Sequence, residues 1–107
     1  MAYDLMVGKS TEVKDNPIYI LGFEFDIQTK VIPGMQNRFN SKALIPFSNP
    51  FEDVVLNHVE LIKSRKELLE LLIHPELRLQ EKNILCQIIT AITFALERDL
   101  PLLGVCD

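Results

Sequence analysis

The sequence predicts an α+β fold, with a mostly antiparallel N-terminal sheet packed against C-terminal helices and a short strand at the C-terminal end. Three observations predict it. Apolar residues alternate with polar ones in the first third of the chain, and they recur at helical spacing in the second half. The length of 107 residues suits one core, burying roughly two thirds of the unfolded surface, so residues 1–107 are read as one globular domain. Hydrophobic residues at 48% and charged residues at 24% match a folded chain rather than a disordered one.

Tyr3, Leu5 and Val7 alternate with Asp4 and Met6, which predicts a first strand ending at Gly8. Lys9 to Asn16 is polar and closes on Asn16-Pro17, a dipeptide that favours turning or extended backbone, so a surface loop is expected. From Ile18 to Val31 a long strand is predicted. It places Leu21, Phe23, Phe25 and Ile27 on a core face and Gly22, Glu24, Asp26 and Gln28 on a wet one. Pro33-Gly34 supplies a turn, and a further strand is expected near Phe39 to Phe47.

Asn49-Pro50-Phe51-Glu52 has the order of a helix start, with Asn49 as cap, Pro50 at the first helical position and Glu52 three residues on. A helix is therefore predicted from Pro50 to about Ile62, laying Phe51, Val54, Val55, Val59 and Ile62 on the sheet. Ser64-Arg65-Lys66-Glu67 reads as a second capping box, opening a short helix with Leu68, Leu69, Leu71 and Leu72 as buried candidates before His74-Pro75 stops it. A third helix, from near Glu76 to Arg98, carries Ile84, Leu85, Ile88, Ile89, Ile92, Ala95 and Leu96 at helical spacing. Beyond Pro101, Leu102-Leu103-Gly104-Val105 is too short for a helix and is expected to return as a strand.

The same composition narrows function. Fifteen acidic against eleven basic residues give a net charge of -4, and the densest basic group, Lys63, Arg65 and Lys66, is balanced by Glu67 and Glu70. No nucleic-acid partner is expected from that pattern, because phosphate contacts need concentrated positive charge. The segment Ile84 to Leu96 is apolar but interrupted by Gln87, Thr90 and Thr93, well short of the roughly twenty apolar residues of a membrane span, so no membrane role is expected. The start of the chain has neither the positive charge nor the apolar run of a secretory signal, and Cys86 and Cys106 fit no metal or redox spacing. A cytoplasmic protein with two free thiols is expected, a disulfide between them being the alternative.

Enzyme chemistry finds little support. The four glycines, at positions 8, 22, 34 and 104, are too scattered for a phosphate-cradling loop. His58 and His74 lie on different predicted elements, and Cys86 falls on the apolar side of the third helix, where packing is its expected role. Glu24 with Asp26, and Glu52 with Asp53, are paired carboxylates, but helix-dipole and solvation roles account for them without a catalytic cleft. No catalytic residue, metal or cofactor is expected. What remains is a surface: Glu24, Asp26 and Gln28, with Asp4 on a neighbouring strand, form an acidic patch suited to steering a basic partner.

In its opening Met1-Ala2-Tyr3-Asp4-Leu5-Met6-Val7-Gly8, its acidic balance and its small mixed format, the chain resembles the immunity proteins of bacterial contact-dependent growth inhibition and related polymorphic toxin systems. The resemblance implies a cytosolic, non-enzymatic protein that binds and neutralises one cognate toxin domain, often a nuclease with a basic groove. It carries no binding residue across by pattern. The residues themselves nominate Glu24, Asp26, Gln28, Glu52 and Asp53 as the partner-binding set. Two other readings stay open: a small enzyme or ligand-binding protein with a site around His58 and His74, and a homo-oligomeric assembly subunit.

Overall fold

The computed structural model describes residues 2–49 and 51–106. They form a four-stranded antiparallel sheet with helices against one face, in the spatial order β2-β1-β4-β3. β1 spans Ala2–Val7 and sits centrally, flanked by β2 (Ile18–Glu24) and by β4 (Leu102–Cys106), while β3 (Val54–Leu56) forms the far edge. The α+β class and the C-terminal strand thus follow the sequence pattern. β4 is inserted between β1 and β3, so the sheet is complete only when the chain's last segment has docked.

Alternation sorts the sheet into two faces. Tyr3, Leu5 and Val7 of β1, Phe23 of β2, Leu56 of β3 and Leu102 of β4 point into the core. On that face α3 (Leu79–Glu97) lies across β1, β2 and β4, burying Ile84, Leu85, Ile88, Ala91, Ile92 and Ala95 at near-ideal helical spacing. Leu103 is also buried, at 2% exposure, but stands apart from this core cluster on the opposite face with Met6 and Val55, its cross-strand neighbours.

Several predicted elements are corrected. The strand expected to run to Val31 ends at Glu24, and from Phe25 the chain is helical. A π-turn over Ile27–Val31 leads into α1 (Ile32–Phe39). Pro33 explains the widened turn: proline has no N–H to give, and its ring collides with the carbonyl four residues back in a regular α-helix. The ladder adapts by letting Ile32 N–H donate to the Ile27 carbonyl, five residues back. Pro33-Gly34 is therefore helical and not a turn, and the strand expected near Phe39 to Phe47 is the end of α1 followed by a 3-10 stretch over Lys42–Phe47.

The predicted helix from Pro50 to Ile62 is replaced by β3 and the start of α2 (His58–Leu72); Pro50 itself lies outside the described residues. Asn49 caps a local turn, its Oδ1 accepting from Phe51 N–H at 3.0 Å. The working capping box is Asn57 with Glu60: Asn57 Oδ1 accepts from Glu60 N–H at 2.9 Å, and Glu60 Oε1 accepts from Asn57 N–H at 3.2 Å. Ser64 to Glu67, expected to open a helix, lies inside α2, which runs unbroken to Leu72 before His74-Pro75.

The helical layer is tied together by one ion pair. Arg38 of α1 holds the buried Glu81 of α3 with two contacts, at 2.7 and 3.1 Å, and its second nitrogen also donates to the Glu76 carbonyl at 3.2 Å. Among the described residues, no helix is long and apolar enough to cross a membrane.

Candidate partner-binding site

Strand register brings together what the sequence separates. Glu24, the last residue of β2, pairs with Ala2, and Tyr3 beside it pairs with Cys106 at the end of β4. Cys106 in turn donates to Asp53 Oδ1, from its backbone N–H at 2.9 Å and from its thiol at 3.1 Å. Glu24 and Asp53 therefore mark opposite corners of one end of the sheet. They are separated by three interstrand steps of about 4.8 Å each, or roughly 15 Å. Asp26 follows Glu24 around the corner, Glu52 precedes Asp53, and all four carboxylates are exposed.

Each acidic pair comes with an exposed aromatic ring. Phe25, between Glu24 and Asp26, is 40% exposed, and Phe51, next to Glu52, is 67% exposed. Both were expected in apolar core stripes. Phe25 leaves the core because the backbone turns helical beneath it, and Phe51 because no helix forms there. No local signal marks them: Phe23, which also stands beside Glu24, is buried at 2% exposure, so adjacency to carboxylates does not separate exposed rings from core ones.

The electrostatics keep this end negative. The hydrogen bonds from the Cys106 backbone and thiol hold the Asp53 carboxyl below the ordinary carboxylate range. Lys30 stands 4.0 Å from Asp26, both side chains highly exposed, and offsets part of that charge.

The remaining candidates fall elsewhere. Gln28, expected on the wet face, is fully buried with its Nε2 donating to the Phe47 carbonyl, and it belongs to the packing between the π-turn and the 3-10 stretch. The helix-dipole role assigned to Glu52 and Asp53 lapses, because they precede β3 and not a helix. Asp4 does share the open sheet face with Glu24, opposite Gly22, where it is half-buried. Cys86, expected to pack, is exposed: Ile84, Leu85 and Ile88 fill the sheet-facing side of α3 and leave position 86 on the far side. Cys86 and Cys106 are not joined in a disulfide.

His58 and His74 sit at opposite ends of α2, about 24 Å apart by the helical rise. His58 Nδ1 lies 3.6 Å from Asp99, while His74 stacks edge-on against Phe39 and its Nδ1 accepts from Glu76 N–H at 3.2 Å. The two rings do not share a site. Among the described residues, no three side chains of His, Cys, Asp or Glu converge as a metal-binding group would. No family model, no curated protein and no solved structure matches the chain.

Proposed function

We propose that this chain is a non-enzymatic immunity protein, which binds and neutralises a cognate bacterial toxin domain in the cytoplasm by presenting the acidic end of its sheet to a basic face of the toxin. One observation carries the reading: two acid-aromatic tripeptides, 27 residues apart in sequence from Glu24 to Phe51, share one end of the sheet. Carboxylates accelerate encounter with a basic surface and select the partner, while exposed rings provide the apolar contacts that interfaces concentrate. A toxin that acts on nucleic acid has such a basic groove, so a nuclease domain is the partner class this end suits best.

The test is binding to a candidate toxin domain encoded beside this gene, if the neighbouring frame encodes one; a neighbouring frame with no toxin domain contradicts the proposal. A purified equimolar mixture should form a stable complex and lose toxin activity in proportion to added protein. Absence of a complex, or a complex that retains full toxin activity, contradicts the proposal.

A further inference from the structure

Helix α2 is apolar on two faces. Leu61 and Leu68 are buried inward, with Leu71 and Leu72 packed against the core. Outward, Val59 is 74% exposed, Ile62 53% and Leu69 40% on the far side of the same helix, and Ile73, the residue that caps its C-terminal end, is 83% exposed. A helix covering a single domain carries one apolar stripe, so a second stripe calls for a second surface. The spacing says what kind. Val59, Ile62, Lys66, Leu69 and Ile73 follow one another by three, four, three and four residues, the repeat of a helix-to-helix seam with one lysine inside it.

The charges beside the seam say which helix. Lys63 and Glu70 lie seven residues apart on one flank, and among the described residues neither they nor Lys66 form an ion pair within the chain. When two copies of a helix pair antiparallel, this flank meets itself reversed, so Lys63 comes opposite Glu70 of the second copy, twice per pair. The same register, with its two-fold axis at the level of Glu67, sets Ile62 against Ile73 of the second copy and the Lys66 stem against its Leu69, keeping the two lysines apart. Parallel pairing would instead set Lys66 against Lys66 and turn the flank toward Arg65, whose Nε already donates to Thr93 Oγ1 at 2.9 Å.

We infer that α2 is a self-association surface, through which two copies of this chain pair antiparallel along Val59, Ile62, Lys66, Leu69 and Ile73. Fifteen residues make a helix only about 22 Å long, so the seam is short and the dimer is governed by concentration. It lies on a different surface from the acidic sheet end and does not depend on a toxin.

Sedimentation equilibrium of the protein alone, from about 10 μM to about 1 mM, tests it. The mass should rise from one chain toward two. Ile62→Glu with Leu69→Glu, both at exposed positions, should keep the folded protein monomeric throughout. Lys63→Glu should weaken the dimer roughly tenfold by placing like charges together, and Lys63→Glu with Glu70→Lys should restore it. A wild-type mass of one chain at the highest concentration overturns the inference, as does a double swap no stronger than the single change. If the wild type stays monomeric and the Ile62 and Leu69 changes weaken toxin capture instead, the face belongs to the toxin: the inference fails, and the charge reversal at the acidic sheet end then decides separately whether that end also takes part.

Discussion

Asp53 Oδ1 accepts both hydrogen-bond donors of Cys106, the backbone N–H at 2.9 Å and the thiol at 3.1 Å. This clamp fastens the segment ahead of β3 to the end of β4, and it fixes where Phe51 and Glu52 stand relative to Glu24 across the sheet.

Asp53→Ala should release that segment. Because the carboxyl is exposed, the loss of global stability should be small, and the sensitive readout is hydrogen exchange at the Cys106 amide: slow in the wild type, fast in the variant. The folded pKa of Asp53 is depressed, so its contribution is complete above the ordinary aspartate value of about 3.9 and is lost as pH falls through the lower folded value. Unchanged protection of Cys106 in the variant would show that the clamp contributes nothing.

Tyr3 is 1% exposed, and its buried hydroxyl has no hydrogen-bond partner among the described residues. Burial pushes its pKa well up, with Asp53 and Cys106 adding to the shift. Tyr3→Phe removes the unmatched oxygen and should leave stability unchanged or raise it by up to about 1 kcal/mol in a urea melt. Gly104 lies directly beneath the ring. A Cβ there would collide with Tyr3 Oη and stand 2.8 Å from Cζ and 2.7 Å from Val54 Cγ2, so Gly104→Ala should cost about 1–3 kcal/mol. A Tyr3→Phe variant less stable than the wild type would mean that the hydroxyl is satisfied in solution.

Burial alone would raise the Glu81 carboxyl, but the Arg38 guanidinium and the Arg78 N–H, at 2.9 Å, overcome it and hold the group below its ordinary value. The ion pair therefore stabilises the fold fully above the unfolded glutamate value of about 4.3, and that contribution disappears as pH falls through the folded one. Glu81→Gln should destabilise by about 2–3 kcal/mol at pH near 7, less than a fully enclosed pair because Arg38 is 37% exposed. The gap between variant and wild type should close in acid. A gap independent of pH would assign the effect to packing.

The start of α2 gives a simpler check. Asn57→Ala removes the acceptor for Glu60 N–H and should lower stability by about 1 kcal/mol, whereas Asn49→Ala, which opens only a local turn, should cost less. Equal losses in thermal melts would contradict the assignment of the cap.

These two asparagines also show what the sequence could and could not convey. Asn49-Pro50-Phe51-Glu52 and Asn57-His58-Val59-Glu60 offer the same capping pattern eight residues apart. The choice falls to Val54-Val55-Leu56 between them, a β-rich run that pairs with β4, a strand whose position in the sheet no local pattern reveals. α3 was legible almost to its ends because its apolar period is long and uninterrupted. The alternation from Leu21 to Gln28 was misleading beyond Glu24, since Ile27, Val31, Ile32, Met35 and Phe39 carry a helical period that overlaps it. The acidic pairs were visible as pairs; their shared location needed the register of β2, β1 and β4.

The central claim is that the acidic sheet end meets the toxin. Its most direct test is the association rate of the toxin domain with Glu24→Lys, Asp26→Lys and Glu52→Lys combined, three exposed positions that leave the Asp53 clamp intact. At low salt the rate should fall by about tenfold or more, and the difference should shrink as salt rises. An association rate equal to that of the wild type at low salt would contradict the assignment of this surface.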